Sequence, residues 1–194
     1  MNKPGINAVR CFWTCGAWYS PVSLGVRWFS RRHWYSWLAE VSHGGIEFDT
    51  IRGFWVGESL DEGWEHKVSK LDRRKAQGKK VVRSDALPMT PDEMQAAWDM
   101  SVEWVGTKGY DYALIRKLAM RGTFTGRMLT SIFSKKLAIH DNTRRLDCTE
   151  GLSLLLFIAT NGKIDLRDSA LDPFGKVTPQ SSLDRARKLG FVKK

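Results

Sequence analysis

The longest regular pattern in this chain runs from Thr90 to Gly106. Met94, Ala97, Trp98, Ser101, Val102 and Val105 recur at helical spacing. Thr90 stands at an N-cap position, Pro91 follows at the first helical position, Asp92 and Glu93 fill the first turn, and Gly106 ends the run. The pattern predicts a helix that buries one face. A second helical pattern, VSLGVRWFSRRHWYSWL over 22–38, follows Pro21. It puts Val22, Val26 and Phe29 on one side, extended by His33 and Trp37, with Arg31 and Arg32 opposite. Between these helices the period changes to two. Over 43–49 Ile46 and Phe48 point one way and Glu47 and Asp49 the other, and GFWVGES over 53–59 follows the polar gap DTIRG. Two strands joined as a hairpin or meander are expected. VVRS, after Gly78, predicts a further short strand, and the charge run KLDRRKAQGKK before it reads as a solvated loop or helix end.

Later in the chain the segment LDCTEGLSLLLFIATNGK places Asp147 as the cap of a helix that opens with Cys148 and Thr149 and is apolar nearly all round. Such a helix belongs in the centre of a domain, and Asn161 with Gly162 stops it. Residues 113–147 lack clear periodicity, are interrupted by Gly122 and Gly126, and have no acidic residue before Asp141. They read as a partly helical, basic insertion. The turn-rich tail ends in a short basic helix after Pro179. The expected fold is α+β, a single domain over 1–194 in which an antiparallel sheet packs on a central helix carrying the cysteine.

Composition supports one folded domain. The chain has 194 residues, 42% of them hydrophobic, with nine Trp and nine Phe, enough to fill one core. It has no run of about 18 to 20 uncharged apolar residues of the kind that spans a membrane. At the amino terminus Pro4, Gly5 and Arg10 interrupt any long apolar stretch, so the segment reads as mature protein and not as a signal peptide. A cytoplasmic location is expected, with delivery by lysis or in a phage particle as the alternative. Of the cysteines, Cys11 and Cys15 lack the second pair or the histidines of a structural zinc site, and three is an odd number for a disulfide framework. A net charge of +10 suits contact with something anionic: nucleic acid, a lipid surface or a wall polymer.

Candidate chemistry begins at Cys148. A thiol at the amino end of a buried helix feels the positive end of the helix dipole and unpaired N–H groups, which favour thiolate and can bind an oxyanion. A nucleophilic cysteine needs an imidazole beside it and a third polar group to orient that imidazole. Of the four histidines, His33 reads as a packed ring in the aromatic helix, and His66 and His140 as members of charged loops. His43 starts a strand beside small residues that leave room for a substrate. For the orienting group Glu58, on the next strand, and Glu47 both qualify, and periodicity does not choose between them.

In chain order the motifs SHGGI, GES, a capped helix, GTKGYDY and CTEG resemble the permuted papain-fold amidases of the YaeF/YiiX group, a circularly permuted branch of the NlpC-like cysteine peptidases. Ser42, His43, Gly45 and Ile46 match the family's Ser-His-x-Gly-hydrophobic strand, and Cys148 and Glu150 match its Cys-Ser-Glu helix start, with Thr149 for the serine. The resemblance covers about residues 20 to 180, its specificity lying in the joint order of short motifs. It implies a permuted papain-like fold and a Cys148, His43, Glu58 triad, Glu58 being favoured over Glu47. Tyr110 and Tyr112, in the matching Tyr-Asp-aromatic motif, are implied to line the substrate site. Departures are Gly44 and Gly151 in place of bulkier residues, a long basic 113–147 segment, and no lipoprotein or secretory leader.

The implied activity is a thiol amidase or peptidase acting on an amide bond of a cell-wall-type peptide, without a metal or organic cofactor. Related permuted enzymes move acyl chains, which makes a thiol acyltransferase or esterase on lipid acyl groups one alternative. A non-catalytic, basic nucleic-acid-binding protein is another, with Arg73, Arg74, Lys75, Lys79, Lys80, Lys135, Lys136, Arg144 and Arg145 meeting phosphates. The latter is not favoured, because it leaves His43, Glu58 and Cys148 without a role. The basic insertion and the tryptophans at 13, 18, 28, 34 and 37 would suit an anionic surface.

Overall fold

Residues Ile6–Thr14 form a strand, β1, that the apolar pattern conceals. Val9, Cys11 and Trp13 on one face and Phe12 on the other are all fully buried, so the alternation that marks a half-buried strand is blurred. The computed structural model describes residues 5–15, 21–29, 39–60, 63–106, 109–110, 145–146, 148–167 and 177–193. Within these, β1 pairs with β2 (His43–Thr50) and β5 (Val81–Arg83), β2 with β3 (Gly53–Leu60), and β3 with β4 (Gly63–Val68). The result is a five-stranded antiparallel sheet in the order β4-β3-β2-β1-β5. The β2–β3 turn has the expected chemistry. Thr50 Oγ1 donates to Gly53 O at 2.7 Å and accepts from Arg52 N at 3.2 Å, and Gly53 takes φ 107°, a conformation side chains disfavour.

Helices α3 (Pro91–Glu103), α4 (Cys148–Ala159) and α5 (Pro179–Lys188) accompany the core on one face of the sheet. There Val9, Cys11, Trp13, Ile46 and Phe48 meet Ala97, Leu152, Leu155, Leu156 and Leu183. The α3 start carries the expected N-cap at Thr90, completed as a capping box in which Thr90 and Glu93 exchange side-chain to backbone bonds. Its buried side differs in detail: Val102 and Val105 are about half exposed, and Trp104 takes the place in the core that they were expected to fill. The expectation that α4 is buried all round is also corrected. Ile158 is half exposed, and Leu154 and Phe157 are only partly covered. Asn161 (φ 48°) and Gly162 (φ 81°) end α4, with Gly162 N donating to Phe157 O at 2.7 Å. Helix α5 repeats the capping arrangement through Thr178 and Ser181, and Trp13 Nε1 donates to Ser182 Oγ at 2.8 Å.

The opposite face of the sheet has a smaller apolar cluster of Phe12, Val56 and Leu71. Leu71 opens α2 (Leu71–Ala76), so the charge run is a short helix docked on the sheet and not merely a solvated loop. Helix α1 spans Pro21–Phe29; its expected continuation to residue 38, with His33, lies outside the described residues. So does most of the 113–147 insertion, of which Arg145–Leu146 form β7, parallel to β6 (Gly109–Tyr110). The fold is α+β, as expected. Among the described residues no helix is long and apolar enough to cross a membrane.

Candidate functional site

His43 enters the sheet as the first residue of β2, opposite Thr14, and Ser42 N donates to Thr14 O at 3.0 Å just before it. Two residues on, Gly45 lies opposite Glu58. His43, Gly45 and Glu58 therefore share a face, with His43 diagonal to Glu58 and no side chain between them. A Cβ at Gly45 would stand 2.7 Å from Gly57 O and 2.7 Å from Phe12 Cζ. That space is taken by the Phe12 ring, whose centroid is 6.3 Å from that of His43. The outcome is a hydrogen bond of 2.8 Å between His43 Nε2 and Glu58 Oε2.

Cys148 reaches the same imidazole from the other side. It is the first residue of α4, buried with 4% of its surface exposed, and its thiol lies close enough to the His43 ring to raise that ring's proton affinity. Because Nε2 is engaged by Glu58, Nδ1 is the ring nitrogen left for sulfur. The first turn of α4 approaches this closely because residue 44 is glycine: a Cβ there would lie 3.1 Å from Trp13 Cδ1 and 3.2 Å from Thr149 Cγ2. Thr149 Oγ1 also donates to Val177 O at 3.3 Å, tying the helix start to the segment before α5.

The electrostatics follow from this sandwich. Burial works to lower the proton affinity of His43, but the charge and hydrogen bond of Cys148 and those of Glu58 outweigh it and raise the pKa from 6.5 to about 10. For Glu58, 1% exposed, burial works upward. It is overcome by the bond and charge of His43 and by the charges of Lys67 and Arg74, which bring the carboxyl down to about 2. Glu47, the rival acid, is equally buried on the same face, but Arg83 and Ser69 hold it, the Arg83 Nη2 bond being 3.0 Å and the Ser69 Oγ bond 2.9 Å. It does not bond His43.

Sequence reasoning missed three groups here: Phe12, Lys67 and Arg74. Lys67 Nζ lies 3.1 Å from Glu58 Oε1, and Arg74 Nη1 lies 3.9 Å from Oε2. The alternation of Trp64 and His66 against Glu65 and Lys67 marks β4 as a strand and was the available signal for Lys67. His66, expected in a charged loop, sits on β4 on the other face of the sheet. Tyr110 has its backbone opposite Leu146, two residues before Cys148; its side chain and the whole of Tyr112 lie outside the described residues, as does Asp147. All three cysteines are free thiols, and burial pushes that of Cys11 far up. Among the described residues no group of three or more His, Cys, Asp or Glu converges as a metal site requires. Of the described basic residues considered for phosphate contact, Arg74 is turned to Glu58, and Lys80 pairs with Glu40 at 2.9 Å. Comparison of the chain with protein-family models, curated proteins and solved structures gives no match.

Proposed function

We propose that this chain is a cysteine hydrolase, a thiol amidase or peptidase of permuted papain-like fold, with Cys148 as nucleophile, His43 as proton carrier and Glu58 as its orienting group. The observation that carries the reading is the single imidazole held between a helix-start thiol and a buried carboxylate. Cys148 Sγ attacks the carbonyl carbon while backbone N–H groups of the first turn of α4 stabilise the oxyanion. His43 Nδ1 gives its proton to the departing amine, which leaves a thioester. The neutral ring then takes a proton from water as its oxygen bonds the carbonyl carbon, and the thiolate departs. Throughout, the Nε2–H donated to Glu58 keeps Nδ1 facing the reaction. The amide is assigned to a cell-wall-type peptide on the strength of the motif resemblance alone. A lipid acyl substrate would use the same steps, and the mass left on Cys148 by wall peptides or by acyl esters separates the two.

The first test is alkylation by iodoacetamide at neutral pH, read for each cysteine by peptide mass spectrometry. Cys148 should react faster than Cys11 and Cys15, and His43→Ala should slow Cys148 by about tenfold or more while leaving Cys15 unchanged. Equal reactivity of Cys148 with and without the imidazole sinks the reading.

A further inference from the structure

We infer that Lys67 and Arg74 are positioning residues for the second half of the reaction, holding Glu58 anionic while His43 is neutral, an inference that rests on the cysteine-hydrolase reading above. In the resting enzyme Glu58 faces an imidazolium, and that charge alone favours its ionised form. Once the thioester has formed, the sulfur carries no charge and His43 has given up its proton. Glu58 is then a carboxylate only 1% exposed beside a neutral ring, a setting in which burial drives a carboxyl to take up a proton.

A protonated Glu58 would donate to Nε2 and shift the ring's hydrogen to Nδ1, so that Nδ1 could no longer accept a proton from water. The surroundings supply two cations against this. Lys67, from β4, is 3.1 Å from Oε1, and Arg74, from α2, is 3.9 Å from Oε2. The other charged groups on this face are otherwise committed. Glu65, opposite Glu58 in register, pairs with Lys67, and Glu47 is held by Arg83 at 3.0 Å. Lys67 is thus shared between a partly buried and a fully buried acid, and Arg74 supplies the second positive charge on the latter.

Acylation and deacylation should part company when these cations are removed. The probe is p-nitrophenyl acetate. The thiolate forms the S–C bond and nitrophenolate leaves. In the second step water adds, one proton passes to His43, the S–C bond breaks to return the thiolate, and acetic acid ionises. Nitrophenolate release reads the first step, and the acetyl mass on Cys148, followed through time, reads the second.

In Lys67→Met the burst and the iodoacetamide rate at Cys148 should stay within about threefold of wild type, while deacetylation slows by about tenfold or more at pH 7. It should recover as pH rises, because Glu58 then ionises without help. Arg74→Met should act in the same direction more weakly, and Lys67→Arg should restore the wild-type profile. Circular dichroism on each variant checks the fold. Deacetylation by Lys67→Met at the wild-type rate and pH midpoint overturns the inference, as does an equal loss in both steps. A wild-type Cys148 that never acetylates overturns the hydrolase reading, and this inference with it.

Discussion

The two described histidines stand on opposite faces of one sheet, and their protons are pushed in opposite directions. His43 is flanked by Cys148 and Glu58, and its pKa rises to about 10 in spite of burial. His66 is boxed by rings: Trp98 edge-on at 4.4 Å, Trp55 stacked at 5.5 Å and Phe48 tilted at 5.7 Å. Its Nδ1 meets Ser101 Oγ at 2.9 Å, and its Nε2 is buried with no hydrogen-bond partner among the described residues. Burial lowers its pKa to about 4. Burial opposes the charged form of both rings, so what differs is the presence of opposite charge. The His43 face of this sheet keeps acids and bases together, and the packed face keeps a neutral imidazole as one more aromatic ring.

The sharpest break of this contrast comes from Trp98→Ala. Trp98 packs against Phe48, Trp55 and His66 at once, and its truncation should cost about 3 kcal/mol of folding stability, read by urea denaturation. His66 should regain part of its lost proton affinity, seen in its NMR titration. Alkylation of Cys148 should not change in the folded variant, because the rings around His66 do not touch His43. A slowed Cys148 would mean that the two faces are coupled.

Gly45→Ala attacks the other face with a smaller effect. The added Cβ must displace Phe12 or the β3 backbone at Gly57, and crowding of this kind costs about 2 kcal/mol. Both groups border the His43 to Glu58 bond, so under the proposed function hydrolysis should fall by more than stability explains. Unchanged kcat with lowered stability would show that the sheet absorbs the methyl group without moving His43.

These positions also show which features local chemistry reveals. Helix α3, the β2–β3 turn and the stop of α4 were legible because Thr90 with Glu93, Gly53, and Asn161 with Gly162 act within a few residues of themselves. Strand β1 was not, since Phe12 is buried on one face and Val9, Cys11 and Trp13 on the other. The site divides in the same way. Cys148 and His43 could be singled out from a helix start and a strand start, and the motif resemblance pointed to Glu58. The bare periodicity could not separate Glu58 from Glu47, because both fall on one face of the sheet. Register decides it, through Gly45 opposite Glu58 and Val56 opposite Glu47. Local alternation places Lys67 on a strand, but its meeting with Glu58 depends on register, and that of Arg74 on the docking of α2 through Leu71.

The smallest expected effect separates the two histidines by pH alone. A histidine whose folded pKa is depressed resists protonation that the unfolded chain accepts. The stability His66 confers is therefore present above 6.5 and is lost as pH falls toward about 4. His43 has the reverse sign: its contribution is complete below 6.5 and is lost as pH rises through about 10. Glu58 adds a contribution present above 4.5 and lost as pH falls toward about 2. Between pH 6.5 and 4.5 the slope set by these three groups belongs mainly to His66. His66→Leu should flatten it, with Trp64 Nε1 still donating to Ser101 Oγ at 3.2 Å so that the hydroxyl keeps a partner. The alkaline fall between pH 6.5 and about 10 should persist in this variant and disappear in His43→Ala. Urea midpoints across the range check both arms. An acid slope that survives His66→Leu would assign the proton uptake to other groups and leave the aromatic box without influence on the titration of its histidine.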